Sequence, residues 1–208
     1  MSRPLRVWLL QSPEKYFSVV PVFLKALRKT KYFDGFYVAT EKTVWLGTDC
    51  WVIDLKKDNG WSNNIIKTLE YVKEDVFFMG CEDHILTDFD ETLVDAAFWA
   101  VKYIDDIGCV RLTHKPRIPL DTDDPISPIG RSYLYYVSLQ PTIWKKSYLE
   151  KIIRPDETAW EFEIKAGSRA KRIKDINACC VRKTIFNYKN LMEKGVLAER
   201  DDYVKIHG

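Results

Sequence analysis

The chain alternates short apolar runs with stretches whose apolar residues recur at helical spacing, the pattern of an α/β domain. Leu5 to Leu10 reads as a first buried strand. Val19, Val20, Phe23, Leu24 and Leu27 then fall on one stripe of a helix expected from about Phe17 to Arg28. Phe36–Ala39 and Trp51–Ile53 read as the second and third strands. Asp58-Asn59-Gly60 is a turn, after which Ser62 is placed to cap a helix through Ile65, Ile66, Leu69 and Val72. Val76-Phe77-Phe78-Met79 is the most apolar strand and ends at Gly80. A long helix is expected from Glu91 to Ile107, closed by Gly108 as its C-terminal cap, with Val110-Arg111-Leu112 a short strand beyond it.

The second part of the chain is less regular. Thr113 to Gly130 is rich in proline and aspartate, hence a long surface loop of the kind that serves as a lid or binding segment. Tyr133–Leu139 reads as a strand, Lys145–Ile153 and Trp160–Lys171 as helices, Ala178–Val181 as a short apolar piece, and Asn187–Lys194 as a helix. The fold expected is one α/β Rossmann-like domain over residues 1–208, with a mostly parallel central sheet flanked by helices.

Composition narrows the partners. The 208 residues carry 32 basic and 30 acidic side chains, a balance unlike the basic excess of nucleic-acid binders. The five cysteines (50, 81, 109, 179 and 180) show no CxxC or His-spaced pattern, which fits reduced thiols in a cytoplasmic protein. Val7–Leu10 is too short for a signal segment or a membrane span, so a soluble protein is expected. Seven Trp, eleven Tyr and ten Phe are mainly core material, though flat rings also suit the C–H faces of sugars.

In open α/β sheets ligands gather beyond the carboxyl ends of the strands. The run Val76–Gly80 delivers Cys81-Glu82-Asp83-His84 to that edge, where acids can hold a hard divalent cation. The same acid pair also reads as the start of an ordinary loop. Farther on, Trp160-Glu161-Phe162-Glu163 offers two carboxylates at a helix start. One of them can take a proton as general base, or both can simply complement the helix dipole.

The segment Asp75–His84 resembles the metal-site strand of A-fold glycosyltransferases, whose acidic motif is Asp-x-Asp after a hydrophobic strand. Asp83 matches the second aspartate, and Cys81 stands at the first. Gly60-Trp61-Ser62, Tyr136–Pro141 followed by Ile143-Trp144, and Trp160–Glu163 followed by Gly167-Ser168-Arg169 are similar to segments of small microbial and viral members. The resemblance implies transfer of a sugar from a nucleoside diphosphate donor to a glycan acceptor, with Mn²⁺ or Mg²⁺ held by Asp83 and by His84 or Glu82. It favours Glu163 as the base of an inverting reaction, with Glu161 in reserve. A donor-binding part over about 1–112 and an acceptor and catalytic part over about 113–208 follow from it.

Donor contacts are expected from Trp61, Ser62 and Asn63 at a helix N-terminus, with Gln140 and Glu82 beside them. Trp160 stacks on the acceptor sugar or joins the core. Arg169 holds the diphosphate or lies on a solvated face.

A rival motif, Asp88-Phe89-Asp90-Glu91-Thr92-Leu93, is similar to the nucleophile motif of haloacid-dehalogenase phosphatases. Only Ile85-Leu86 precede Thr87, since the strong strand ends at Gly80, so Asp88 and Asp90 read as loop with Glu91-Thr92 starting the long helix. A non-catalytic nucleotide-sugar binder is the third reading.

Overall fold

The computed structural model describes residues 3–114, 117–193 and 196–197. Its strands are β1 (Val7–Gln11), β2 (Gly35–Thr40), β3 (Cys50–Asp54), β4 (Val76–Met79), β5 (His84–Phe89), β6 (Ile107–Arg111), β7 (Ile126–Pro128), β8 (Thr142–Lys145), β9 (Asn177–Val181) and β10 (Phe186–Asn190). The α-helices are α1 (Val20–Lys29), α2 (Trp61–Leu69), α3 (Glu91–Tyr103), α4 (Lys146–Ile152) and α5 (Ala159–Ala170).

An eight-stranded sheet in the order β3-β2-β1-β4-β8-β6-β9-β7 forms the centre. Its first four strands are mutually parallel, β6 and β9 run together, and β8 and β7 run against their neighbours. The sheet is therefore mainly parallel, as expected, with β8 inserted antiparallel between β4 and β6. Side chains alternate across each strand, so one face carries Trp8 and Phe78 in register. Trp8 meets Phe23 of α1, and Phe78 stacks on Phe98 of α3. The opposite face carries Phe77 and Trp144, likewise in register, and Trp144 packs toward Phe162 of α5. Helices thus cover both faces, which is why β1, β4 and β6 have no polar alternation.

Several expectations need correction. The first helix is split: a 3-10 turn at Glu14–Val19 hands over to α1, with Pro21 accommodated in the first helical turn. Gly60, not Ser62, holds the N-cap position of α2. Helix α3 ends at Tyr103, and Gly108 lies inside β6, where a Cβ would sit 2.4 Å from the Tyr148 ring. That glycine is needed for close packing rather than for a cap.

Tyr133–Leu139 forms turns, not a strand; its apolar pattern reflects buried Tyr136, Val137 and Leu139 in an irregular segment. The helix expected at 187–194 is instead strand β10 up to Asn190, followed by a two-residue strand, Met192–Glu193, paired antiparallel with Val196–Leu197. Strand β10 pairs antiparallel with β5, itself a strand where a loop was expected. Phe186 anchors this ribbon by packing on Trp8 and Phe89. The loop 113–130 contains the short edge strand β7.

No helix among the described residues is long and apolar enough to cross a membrane.

Candidate active site

Strands β1 and β4 run side by side and end together, so Gln11-Ser12 and Gly80–Glu82 emerge at the same edge. Gly80 is needed there for packing: a Cβ would lie 3.1 Å from the Trp8 indole and 3.5 Å from Pro141. A cleft of about 260 Å³ opens at this edge, lined by Gln11, Lys15, Tyr16, Asp58, Trp61 and Glu82 among others. Sequence reasoning named only Trp61 and Glu82 of these. The signal for Gln11 was available, because β1 is as apolar as β4 and must deliver its next residues to the same place.

The acidic segment is held in a half-buried turn between β4 and β5. Glu82 approaches the Ser12 hydroxyl at 3.5 Å, and burial pushes its carboxyl up to about 7. Burial also raises Asp83. The backbone around Asp83 is tied down, its carbonyl accepting from the Leu191 and Ile85 amides. His84 lies beside it, with Nε2 4.0 Å from Asp83 Oδ1 and its ring 4.2 Å from that of Tyr188. Burial holds this imidazole down at about 4, so it is neutral over the physiological range. Its Nδ1 is buried with no hydrogen-bond partner among the described residues.

Donor atoms of Cys81, Asp83 and His84 all lie within 4.8 Å of one another. A neutral imidazole whose Nε2 lies near a carboxylate, with a thiol in reach of both, fits a divalent cation. Glu82 stands outside this group.

Glu163 of α5 is joined to the same edge through one peptide. Its Oε1 accepts from Ser138 Oγ at 2.7 Å and from the Leu139 amide at 2.8 Å. The Leu139 carbonyl faces the Cys81 thiol at 3.9 Å, and Leu139 lines the cleft. Gln140 follows directly, its side-chain oxygen accepting from Thr113, whose hydroxyl also accepts from buried Arg111.

Glu161 points elsewhere. It closes a capping box with Thr158 and binds Lys165 at 2.8 Å, and those bonds, Lys165 foremost, hold it down at about 2. Trp160 is 63% exposed, not core.

Three expected donor contacts are engaged within the protein. The Ser62 hydroxyl is buried and accepts from the Glu157 amide at 2.8 Å. Asn63 exchanges hydrogen bonds with Asp156, which has a left-handed φ of 61°. Arg169 grips Glu157 with two bonds of 2.8 and 2.6 Å and donates to the Ile152 carbonyl. These residues form a clasp between the N-terminus of α2 and the turn that enters α5, so the hydrogen-bonding groups of Ser62, Asn63 and Arg169 are engaged within the protein. Sequence spacing could not reveal that Glu157 is buried to receive them.

The rival aspartates separate. Asp90 caps α3 by accepting from the Leu93 amide, and Asp88 lies exposed on β5 facing Asn187. Strand β5 belongs to a two-stranded antiparallel ribbon, not to the parallel sheet whose edge a phosphatase nucleophile requires.

No protein-family model matches this sequence, and no curated protein matches it. Its architecture does have solved counterparts. S. aureus TarS, residues 1–349, superposes with a TM-score of 0.63 at 13% identity, covering 97% of this chain and 63% of that one. Mannosyltransferase PcManGT from Pyrobaculum calidifontis, solved with GDP-Man and Mn²⁺, gives 0.60 at 12% identity, over 94% of this chain and 59% of that one. Mannosyl-3-phosphoglycerate synthase from Rubrobacter xylanophilus gives 0.54 at 9% identity, over 97% and 70%. This chain has the fold of the GT-A glycosyltransferases. It spans less than two thirds of the length of the first two of these structures.

Proposed function

We propose that this chain is a nucleotide-sugar-dependent glycosyltransferase that uses a divalent cation. The observation that supports the reading is a cleft lined by Cys81, Glu82 and Leu139, followed directly in the chain by the half-buried Asp83–His84 pair, with Glu163 bonded to the amide of cleft-lining Leu139. Solved proteins of this fold have been captured with GDP-Man and Mn²⁺ and with UDP-GlcNAc, which supports a nucleotide-sugar donor here.

Asp83 and His84 would hold the cation, Mn²⁺ or Mg²⁺. The nitrogen ligand favours Mn²⁺ of the two. When bound, the cation supplies positive charge against the diphosphate that departs. In the cleft, Trp61 and Tyr16 offer flat faces for the nucleoside, Lys15 a charge for the phosphates, and Glu82 an acceptor for hydroxyls. Gln140, next to Leu139 on the same segment, is retained as a substrate contact. Exposed Trp160 is available to stack on an acceptor sugar. Residues to about 112 supply the donor side, and those from 113 the acceptor side and base.

Glu163 is the proposed general base. It takes the proton from the acceptor hydroxyl as that oxygen attacks the anomeric carbon, and the nucleoside diphosphate leaves from the opposite face with inversion. The bonds from Ser138 and Leu139 orient the carboxylate for this.

The test is Glu163→Gln, which keeps an oxygen for both bonds. Transfer from a panel of nucleotide sugars should fall about 10²–10⁴-fold while donor binding stays near wild type. Unchanged turnover would remove Glu163 from the chemistry. A binder without turnover would instead show donor binding and no transfer in the wild type.

A further inference from the structure

Cys81 has no role in the reading above. It ends the β4 run at the sheet edge, half-buried, two residues before Asp83. Its only described partner is the Leu139 carbonyl at 3.9 Å, a weak contact for a thiol. Its sulfur nevertheless lies within 4.8 Å of donor atoms on both Asp83 and His84. The His84 ring itself needs partners: Nε2 stands 4.0 Å from Asp83 Oδ1, and Nδ1 is buried with no hydrogen-bond partner among the described residues.

The donors are one sulfur, one nitrogen and one carboxylate oxygen. Magnesium demands near-octahedral oxygen ligation, which a thiol and an imidazole do not provide. Thiolate and imidazole together suit zinc-class cations, and any mixed N, O, S site binds Zn²⁺ more tightly than Mn²⁺. A tetrahedral zinc with bonds of about 2.0–2.3 Å needs its donors roughly 3.5 Å apart, a closure of about 1 Å that side-chain rotation supplies.

We infer that Cys81, Asp83 and His84 form a three-ligand site for a thiophilic divalent cation, with a non-protein oxygen completing the coordination. Binding sends the thiol proton to solvent and leaves every oxidation state unchanged. The inference rests on the cation-binding part of the proposed function and not on sugar transfer.

The test titrates the metal-free full chain with Cd²⁺ and with Co²⁺ alone, following the ultraviolet thiolate-to-metal charge-transfer band. The band should saturate at one equivalent, resist excess Mg²⁺, and vanish in Cys81→Ser. Asp83→Asn retains all five thiols, so it reports on the site even if Cys81→Ser unfolds. It should keep the band while weakening Cd²⁺ binding by more than the roughly 10-fold that loss of an outer partner causes. Cys81→Asp should lose the band and shift preference toward Mn²⁺.

A band absent from the wild type, or one surviving in Cys81→Ser with Cys50 intact, overturns the inference. If Mn²⁺ and a nucleotide sugar still bind through Asp83 without any thiolate band, the inference alone falls. If Asp83→Asn alters neither metal nor donor binding, the cation-dependent reading falls with it.

Discussion

Two polar clusters lie close together in this molecule and are built on opposite terms. In the clasp between α2 and α5, every charged or polar group named above is answered: buried Glu157 receives both arms of Arg169, its amide meets Ser62, and Asn63 closes on Asp156. At the end of β4 the groups are half-buried and poorly answered. Glu82 has one long contact, Asp83 lies 4.0 Å from a neutral imidazole, and His84 Nδ1 has no described partner. The first arrangement stabilises a fold, because burying a polar group costs little once it is paired. The second holds its groups at a cost that only a ligand offsets, which is the mark of a site. Both clusters contain a glutamate and an aspartate, and satisfaction is what tells them apart.

Removing a member should therefore have opposite signs in the two places. The largest effect is expected from Arg169→Ala. It strands the Glu157 carboxylate, which is only 6% exposed, and should cost about 3–5 kcal/mol in chemical denaturation. A loss below about 1 kcal/mol, the scale of a surface pair, would erase the distinction.

Glu82→Gln should act the other way and more weakly. The folded carboxyl titrates near 7 against an ordinary 4.5, so its cost is absent below about pH 4.5, grows as pH rises, and is complete above 7. Without cation or nucleotide, the Gln variant should be more stable than wild type by about 1–3 kcal/mol at pH 8, with the gap shrinking toward pH 5. Thermal melts at the two pH values measure this, and a destabilised variant at pH 8 would place Glu82 among the paired groups.

Legibility in the sequence followed the same physics. Buried strands β1, β2 and β4 announce themselves because unbroken apolar runs have few alternatives in an α/β chain, whereas β9 showed only as a short apolar piece. Helices α2, α4 and α5 were readable from spacing. Strand β8 was missed because its four residues, Thr142–Lys145, are too short to show a period, although Trp144 is fully buried. The β5–β10 ribbon was misread because its burial depends on pairing over nearly 100 residues of sequence.

At the candidate site, the strand rule directed attention to Glu82, Asp83 and His84, which follow β4 at the sheet edge. Glu161 and Glu163 differ in their surroundings: one caps its own helix, the other reaches Ser138 and Leu139. Ser62, Asn63 and Arg169 looked like ligand contacts because phosphate-binding and helix-tying residues share one chemistry. Only the position of Glu157 separates the two uses.

Asp83 is the side chain on which cation-dependent donor binding is proposed to depend. Calorimetric titration with a nucleoside diphosphate, with and without Mn²⁺, compares the wild type with Asp83→Asn. Binding should require the cation in the wild type and weaken about 10–100-fold either on chelation or in the variant. Equal affinity in all three conditions would contradict a cation-bridged diphosphate at this edge.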